Sequence, residues 1–398
     1  MRLDLLLKRE NFPRVFERSF ARYLLQAFGV DAAVNWGRNP VQDRTALLVN
    51  RKLNVIYSKD INRAELRFIA SEYAYHPNLV KRFLQTVYIR LATCVYFERL
   101  FVKERVGINP WIKDLDKLCV IPGNQSIRVI NFEACSCTVF VKYGFDVQLI
   151  KNEVRLREAY DFLPIPRLLH IDPEYLYYQE ERIKALPLNR LGSPGVANKA
   201  LLQAQQCLLS LYGKTLEKSG INSYLESLYA SCDQYIATLP KPYTQTDKVK
   251  IKQVLEQLST TLVGVSSNTI DLVQSHGDLQ AANILVSNFD QQLYLIDWEY
   301  TAKRSIYYDA LVFATQCRSP QGLSKRIKVM KDQHNFSWNW CINNAQVELL
   351  DTVLVIFLLE DLILRLSELQ IPAMISKDEG LNIWMNEIEQ MDWLIAYE

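Results

Sequence analysis

The chain has 398 residues, 49% of them hydrophobic and 23% charged, which is typical of a soluble globular protein of two or three domains. No apolar run approaches the eighteen residues of a transmembrane helix, and the apolar run at the N-terminus is too short for a signal peptide. The eight cysteines form no CxxC pair and the four histidines are isolated, which argues against a zinc site. We therefore expect a soluble protein of a reducing compartment.

The first 110 residues predict a basic, mostly helical extension. They hold 19 Lys/Arg and 10 Asp/Glu, whereas the remaining residues are net acidic. Apolar residues recur at helical spacing in 14–28, 64–75 and, over the longest stretch, 78–106, while 45–50 and 53–57 look extended. A basic amphipathic helix can lie on an anionic membrane surface, or it can pack against its own domain with a solvated basic face. The region contains no nucleic-acid-binding motif, so we expect no nucleic-acid partner.

Residues 111–184 predict a small antiparallel sheet followed by a helix. Runs rich in β-branched residues at 118–121, 127–131 and 138–143 are separated by turn sequences, the first of which contains Gly123 and Asn124. Lys142 ends the third run, and a helical pattern over 148–160 carries Glu153. A further strand over 175–179 leads into the connection 180–188.

Residues 185–398 predict a larger, mainly helical region that contains one β-hairpin. The apolar runs 284–286 and 293–296 flank the turn-forming sequence 287–290, which is the pattern of a hairpin. Apolar stripes predict the surrounding helices, which are 197–219, 224–239, 248–262, 346–368 and 380–396.

Polar residues crowd the two ends of this hairpin. His276, Asp278 and Asn283 precede its first strand, and Asp297 follows its second. Because the ends of paired strands meet, three oxygen-bearing side chains can gather there, and Mg²⁺ prefers such ligands together with substrate phosphates.

The spacing of these residues resembles a known family of kinases. His-x-Asp followed by Asn five residues later, and by Asp fourteen residues after that, is the catalytic-loop and metal-binding pattern of eukaryotic-like kinases. The versions His276-Gly277-Asp278-Leu279 and Ile296-Asp297-Trp298-Glu299 resemble the aminoglycoside phosphotransferase and choline kinase superfamily. The resemblance implies an α+β, two-lobed, protein-kinase-like fold, with a β-rich N-lobe and hinge over 111–184, a helical C-lobe over 185–398, and residues 1–110 as an extension.

The resemblance also implies roles for individual residues. Asp278 would accept the proton of the acceptor hydroxyl or orient that hydroxyl, Asn283 and Asp297 would hold Mg²⁺, and His276 would brace the loop. Asp309 would also brace the catalytic loop rather than take part in the chemistry. The residues implied on the ATP side are Lys142 paired with Glu153, Gly123 and Asn124 in the phosphate-covering turn, and Gln179, Glu181 and Ile183 in a hinge that binds adenine through its backbone.

The acceptor is the part of the reaction that the motif leaves open. Gln280 and Glu299 stand where they could contact it, and a carboxylate would suit a cationic acceptor. The sequence thus predicts an ATP- and Mg²⁺-dependent phosphotransferase acting on a hydroxyl of an amino-alcohol, aminoglycoside, sugar or cell-envelope component. We expect it in the cytoplasm or peripheral to the inner face of a membrane. The alternative is a nucleotide-binding pseudokinase or partner-binding module, because the phosphate turn has a single glycine.

Overall fold

The computed structural model describes residues 3–37, 46–76, 78–260, 269–332, 350–370 and 374–391. The chain divides into two compact units, Met1–Lys151 with Pro166–Ile183, and Asn152–Ile165 with Lys184–Glu398. The ends of several predicted elements, at residues 45, 261–262, 346–349 and 392–396, lie outside the described residues.

The first unit is built on one antiparallel sheet of nine strands in the order β1-β4-β2-β3-β5-β6-β7-β9-β8. The strands are β1 Ala33–Gly37, β2 Ala46–Asn50, β3 Val55–Ser58, β4 Glu104–Asn109, β5 Leu118–Pro122, β6 Ser126–Asn131, β7 Ser136–Val141, β8 Leu168–Ile171 and β9 Tyr177–Glu181. Every residue of β2 and β7 is buried, because these strands are covered on both faces.

Helices from the first 110 residues cover both faces of this sheet. They are α1 Leu3–Arg9, α2 Phe12–Phe28, α3 Arg63–Ala70, α4 Leu79–Ala92 and α5 Glu98–Phe101. On one face, Phe16 and Phe20 of α2 pack in a core with Val120 of β5. On the other face, Leu66 and Ile89 pack in a second core with Cys119. Cys119 precedes Val120 in β5, so the two side chains lie on opposite faces of the sheet. The predicted boundary at residue 110 thus falls between β4 and β5, two strands of one sheet.

The structure differs from the sequence pattern over residues 78–106. The helix ends at Ala92, and β4 begins at Glu104. Val106 and Ile108 are buried while their neighbours are less so, which is the alternation expected of a strand. Strand β4 pairs with both β1 and β2. Pairing with distant strands therefore overrides the local amphipathic pattern at this point.

The second unit is mainly helical and holds two small antiparallel sheets, β10-β13-β14 and β11-β12-β15. Helix α6, Gln148–Ala159, runs across the boundary at residue 151. The remaining elements are β10 Ala185–Pro187, α7 Pro194–Thr215, β11 Glu217–Gly220, α8 Ile221–Ala237, α9 Gln245–Thr260, β12 Thr269–Ser275, β13 Ile284–Ser287, β14 Leu293–Leu295, β15 Ala302–Ser305, α10 Tyr308–Thr315, α11 Leu323–Asp332, α12 Leu350–Glu368 and α13 Glu379–Glu389.

The main sequence predictions about architecture are confirmed. Strands β5, β6 and β7 follow one another as an antiparallel meander, and β13 and β14 form the predicted hairpin. The β-rich first unit and the mainly helical second unit agree with the predicted two-lobed, α+β organisation. Among the helices that the structure describes, none combines the length and apolar character needed to cross a membrane.

Candidate active site

The loop from His276 to Asn283 is anchored by the buried carboxylate of Asp309. This residue lies in the first turn of α10 and accepts hydrogen bonds from the backbone N–H groups of His276 and Gly277, at 2.6 and 2.9 Å. The Tyr212 hydroxyl on α7 donates a third bond at 2.7 Å. Asp309 is fully buried, so its carboxylate is committed to holding the loop. The bracing role predicted for Asp309 is confirmed.

Gly277 is the point where this loop passes closest to the rest of the unit. Its φ of +87° lies in the left-handed region, and a Cβ atom at this position would lie 2.1 Å from the carbonyl oxygen of Tyr300. Only glycine fits this conformation and this approach.

The buried ring of His276 links the loop to the end of the hairpin. Its Nδ1 accepts a hydrogen bond from the Asp278 N–H at 3.3 Å, so its Nε2 carries the proton and donates to the carbonyl of Ile296 at 3.0 Å. The ring centroid lies 4.3 Å from that of Trp298. Both ring nitrogens are thus engaged within the protein, which supports the interpretation of His276 as a bracing residue.

The Asp278 carboxylate receives three donors. Gln280 Nε2 and Arg318 Nε lie 2.7 and 2.8 Å from its Oδ1, and Asn283 Nδ2 lies 3.3 Å from its Oδ2. The same amide nitrogen of Asn283 donates to the Asp278 carbonyl at 2.8 Å. These contacts hold the carboxylate in one orientation while its side chain keeps 13% of its surface exposed, enough to meet a ligand.

Arg318 is a site residue that the sequence motif did not indicate. Besides Asp278, its guanidinium lies 3.5 Å from the carboxylate of Glu368. Burial alone would lower the pKa of Arg318, but the charges of Glu368 and Asp278 outweigh burial and raise the pKa above its ordinary value. The guanidinium is therefore a permanent positive charge beside Asp278.

Helix α12 fixes the segment that carries Arg318. Arg365 donates to the carbonyl of Cys317 at 2.5 Å and to the Asp361 carboxylate at 2.8 Å. Glu360, Asp361 and Arg365 are buried charged residues of this mainly apolar helix. Charged residues inside such an apolar run are the sequence signal that could have pointed to a buried polar network here.

Asn283 and Asp297 lie at the same end of the hairpin. Ile284 of β13 is opposite Leu295 of β14, and the Ile296 N–H donates to the Asn283 carbonyl at 3.0 Å. The amide nitrogen of Asn283 donates to Asp278. The amide oxygen of Asn283 accepts no hydrogen bond from the described part of the chain. Asp297 follows with a left-handed backbone, φ +70°, and opens the turn that carries the partly buried Glu299.

This donor set suits Mg²⁺ bound together with phosphate. An amide oxygen and a carboxylate are hard ligands, and Mg²⁺ commonly takes one or two carboxylates with the remaining positions filled by water and substrate phosphates. Within the described ranges, no group of three or more His, Cys, Asp or Glu side chains could hold a metal ion by itself. Asn283 and Asp297 thus offer an amide oxygen and a carboxylate, which are ligands of the kind that such an ion takes.

In the first unit, Lys142 is enclosed by the N-terminal segment. Its Nζ lies 2.7 Å from Glu10 Oε1 and 2.8 Å from the Asn124 carbonyl oxygen, with no exposed surface on either charged side chain. The rings of Phe12 and Phe145 lie 5.2 and 5.1 Å from the ammonium group. Glu10 was not indicated by the sequence, because it is 132 residues away from Lys142.

The predicted phosphate turn is a tight hairpin between β5 and β6 that Arg9 holds from outside. The Gly123 N–H donates to the Ser126 carbonyl at 3.0 Å, and a Cβ atom at Gly123 would lie 2.6 Å from that oxygen. Arg9 donates to the Asn124 carbonyl at 3.1 Å and also to the Asn124 side-chain oxygen. The Arg9 guanidinium lies 3.4 Å from Glu10. The buried side chains of Arg9, Glu10 and Lys142 and the half-buried Asn124 thus form one network, which we call the Lys142 network.

Glu153 lies in the second unit, on α6, and its carboxylate is 3.4 Å from the guanidinium of Arg157. Lys142 belongs to the first unit. The pairing of Lys142 with Glu153 stays a prediction.

The backbone of the predicted hinge is partly used by the sheet, since the Glu181 N–H donates to the Arg167 carbonyl at 2.9 Å. The side chain of Gln179 donates to the Ser136 hydroxyl at 3.0 Å, and the Glu181 carboxylate accepts the Arg167 N–H at 3.1 Å. Ile183 follows β9, and its backbone has no backbone hydrogen-bond partner among the described residues. A contact with adenine through this backbone stays a prediction.

Comparison with known proteins supplies the family context. Residues 205–316 match the choline/ethanolamine kinase family. The matched segment covers a little over a quarter of the chain and contains Asp278, Asn283 and Asp297. This match confirms the predicted superfamily resemblance. It also agrees with the predicted enzyme class, a small-molecule phosphotransferase with an alcohol group as acceptor. No curated protein matches the chain.

Solved structures of similar fold include kinases of both branches of the superfamily. A choline/ethanolamine kinase family protein from Mesorhizobium loti is 16% identical and has a TM-score of 0.44 over 70% of this chain and 88% of that one. Choline kinase LicA from Streptococcus pneumoniae is 15% identical, with a TM-score of 0.43 over 69% and 89%. An aminoglycoside phosphotransferase from Streptomyces rimosus is 14% identical, with a TM-score of 0.39 over 63% and 92%.

Proposed function

We propose that the chain transfers the γ-phosphoryl group of ATP to a hydroxyl of an amino-alcohol, aminoglycoside or sugar, or of a cell-envelope component. The observation that supports this most is the fixed carboxylate of Asp278, beside the hairpin end that carries Asn283 and Asp297. Phosphoryl transfer needs positioning and charge neutralisation more than covalent work by the protein, and this arrangement supplies both.

Asp278 is the residue proposed to act on the acceptor. Its carboxylate accepts a hydrogen bond from the acceptor hydroxyl and orients the oxygen toward the γ-phosphorus. It takes the hydroxyl proton as the new O–P bond forms and the bond between the γ-phosphorus and ADP breaks, so that ADP leaves. Arg318, Gln280 and Asn283 keep the carboxylate in that orientation.

Asn283 and Asp297 are the residues proposed to hold Mg²⁺, through the amide oxygen and the carboxylate. When bound, the ion neutralises charge on the nucleotide phosphates. Lys142 is proposed to contact the α- and β-phosphates. Its side chain is fully buried between Glu10 and the Asn124 turn, so this contact requires the turn to move away from the ammonium group. The backbone of Ile183 is proposed to bind adenine.

The acceptor is proposed to be cationic. Glu299 follows Asp297 closely and keeps part of its surface exposed, so its charge favours an ammonium group. The amide nitrogen of Gln280 donates a hydrogen bond to Asp278. The side-chain carbonyl oxygen of Gln280 would therefore be the atom that contacts the acceptor. The matched family and the choline kinase of Streptococcus pneumoniae are named for amino-alcohols, which agrees with this choice.

The test is an acceptor screen that measures ADP formation with ATP and Mg²⁺ over amino-alcohols, aminoglycosides and sugars. We expect one class to stimulate ADP formation and Asp278→Asn to abolish the stimulation while the protein keeps its melting temperature. Stimulation that survives Asp278→Asn would contradict the assignment. ATP binding without turnover on any acceptor would favour the alternative, a pseudokinase.

We also propose that the protein works in the cytoplasm and contacts a membrane peripherally through residues 1–110. The basic charge of this segment supports that location.

A further inference from the structure

Helix α4 and the segment after it expose an unusual amount of apolar surface. Six large apolar side chains of α4 are exposed, and Leu79 has 75% of its surface in solvent. They are Leu79, Val80, Phe83, Leu84, Val87 and Leu91. Tyr96, at 89% exposed, and Leu100 continue the patch beyond the helix. We call residues 79–100 the α4–α5 surface.

The exposed side chains lie on one face of the helix. At 100° per residue, Leu79, Phe83, Val87 and Leu91 form a ridge of i, i+4 neighbours, and Val80 and Leu84 lie beside it. The opposite face is the one that packs in the protein, through Ile89 and Ala92. The helix therefore has two apolar faces, and its own domain covers only one of them. A patch of this kind marks an interaction site.

The charges of this surface are almost entirely positive. Lys81, Arg82 and Arg90 are exposed on α4, and no acidic residue occurs from 79 to 97. Lys81 and Arg82 lie near the two edges of the apolar face, where long basic side chains can reach outward from a buried stem. The first acidic residue, Glu98, is buried and lies 2.8 Å from the guanidinium of Arg63. Apolar side chains bordered by uncompensated basic ones are the pattern of a helix that lies in a membrane interface.

The positive charge decides between the possible occupants. A second copy of this chain would bring two cationic surfaces together, which costs electrostatic energy. An anionic lipid surface offers phosphates for the basic side chains and an acyl boundary for the apolar ridge. We propose that the α4–α5 surface binds an anionic lipid membrane, with α4 lying in the plane of the interface.

The test is flotation of the full chain with liposomes. We expect the protein to float with vesicles of phosphatidylglycerol and phosphatidylcholine and not with phosphatidylcholine alone, with binding weakened by salt. The apolar variant Phe83→Ser/Leu84→Ser and the charge variant Lys81→Glu/Arg82→Glu/Arg90→Glu should each bind at least roughly tenfold more weakly. All five positions are exposed, so both variants should keep the melting temperature of the wild type.

Matched controls come from exposed residues elsewhere. Leu202→Ser on α7 removes an exposed leucine, and Lys325→Glu on α11 reverses an exposed charge; both should bind as the wild type does. Wild-type protein that does not float with anionic vesicles, or variants that float equally well, would overturn the proposal. A dimer in solution that Phe83→Ser/Leu84→Ser dissociates, without flotation of the wild type, would assign the surface to a second copy instead. Because nucleotide binding and the melting temperature can be measured without lipid, failure here is distinguishable from failure of the proposed phosphotransferase activity.

Discussion

Arg318 contacts two acidic side chains with different nitrogens of one guanidinium group. Its Nε lies 2.8 Å from Asp278, and its Nη1 lies 3.5 Å from Glu368. The planar fork of arginine can serve both carboxylates at fixed angles, whereas a lysine ammonium group cannot. The orientation of Asp278 therefore depends on the geometry of Arg318 as well as on its charge.

Arg318→Lys should lower kcat by roughly 10- to 100-fold, because a small misplacement of a positioned group carries such a cost. The KM for ATP should change little, because Arg318 contacts the carboxylate proposed to meet the acceptor. Steady-state kinetics with the acceptor found in the screen would measure both, with Lys325→Met as the control. An unchanged kcat in Arg318→Lys would show that the contact with Asp278 has no role in turnover.

Glu10 is the residue with which the N-terminal segment contacts Lys142, the lysine proposed to bind phosphate. Glu10→Gln removes a carboxylate 2.7 Å from the buried ammonium group of Lys142. Breaking a buried pair should cost about 3 kcal/mol of the free energy of unfolding. It should also weaken ATP binding, since Lys142 and the Asn124 turn belong to the same network.

Chemical denaturation and calorimetric titration with ATP would measure these two effects. Glu133→Gln is the matched control, because Glu133 lies in the same unit and its side chain is 66% exposed. Wild-type stability together with wild-type ATP affinity in Glu10→Gln would refute the role given to the Lys142 network.

Among the elements, the loop from His276 to Asn283 and the turn Trp298–Tyr300 meet at Gly277. Gly277→Ala should destabilise the protein by at least about 3 kcal/mol, because it adds left-handed strain to a clash with the backbone of Tyr300. Gly213→Ala is the control: it lies in α7, and an added Cβ atom there meets no atom within 4 Å. This control should stabilise the protein by about 0.5–1 kcal/mol, since alanine favours a helix. Equal melting temperatures for the two variants would contradict the close approach at Gly277.

The elements that the sequence predicts are those whose patterns are local. The strands over 118–122 and 126–131 and the hairpin of β13 and β14 alternate with turn residues, and each pairs with its neighbour in the chain. Strand β4 pairs instead with β1 and β2, so its partners lie far away in the sequence. For this reason the amphipathic pattern of 78–106 predicted a helix where part of the segment is a strand.

The same distinction separates the site residues. Asp278, Asn283 and Asp297 stand at a fixed spacing around one hairpin, and a fixed spacing can be recognised in a single sequence. Arg318 is 40 residues from Asp278, and Glu10 is 132 residues from Lys142. No regular spacing in the sequence relates the two residues of either pair. Only the folded chain shows that these side chains meet.

In the whole molecule, the residues proposed to act on the acceptor and to hold Mg²⁺ lie in the second unit. The matched family segment, the fixed Asp278 carboxylate and the hairpin end with Asp297 all lie there. The first unit holds the Lys142 network and the α4–α5 surface. Catalysis and membrane binding are therefore expected to be separable by substitution.

The most direct measurement does not require the acceptor to be known. ADP formation from ATP, with water in place of the acceptor, should depend on Mg²⁺, cease on addition of EDTA, and fall by roughly 100-fold or more in Asp297→Asn. The Asp290→Asn variant, altered in an exposed carboxylate of the hairpin turn, should form ADP at the wild-type rate. ADP formation that persists in EDTA, or that Asp297→Asn leaves at the wild-type rate, would contradict a magnesium-dependent phosphotransferase centred on this hairpin.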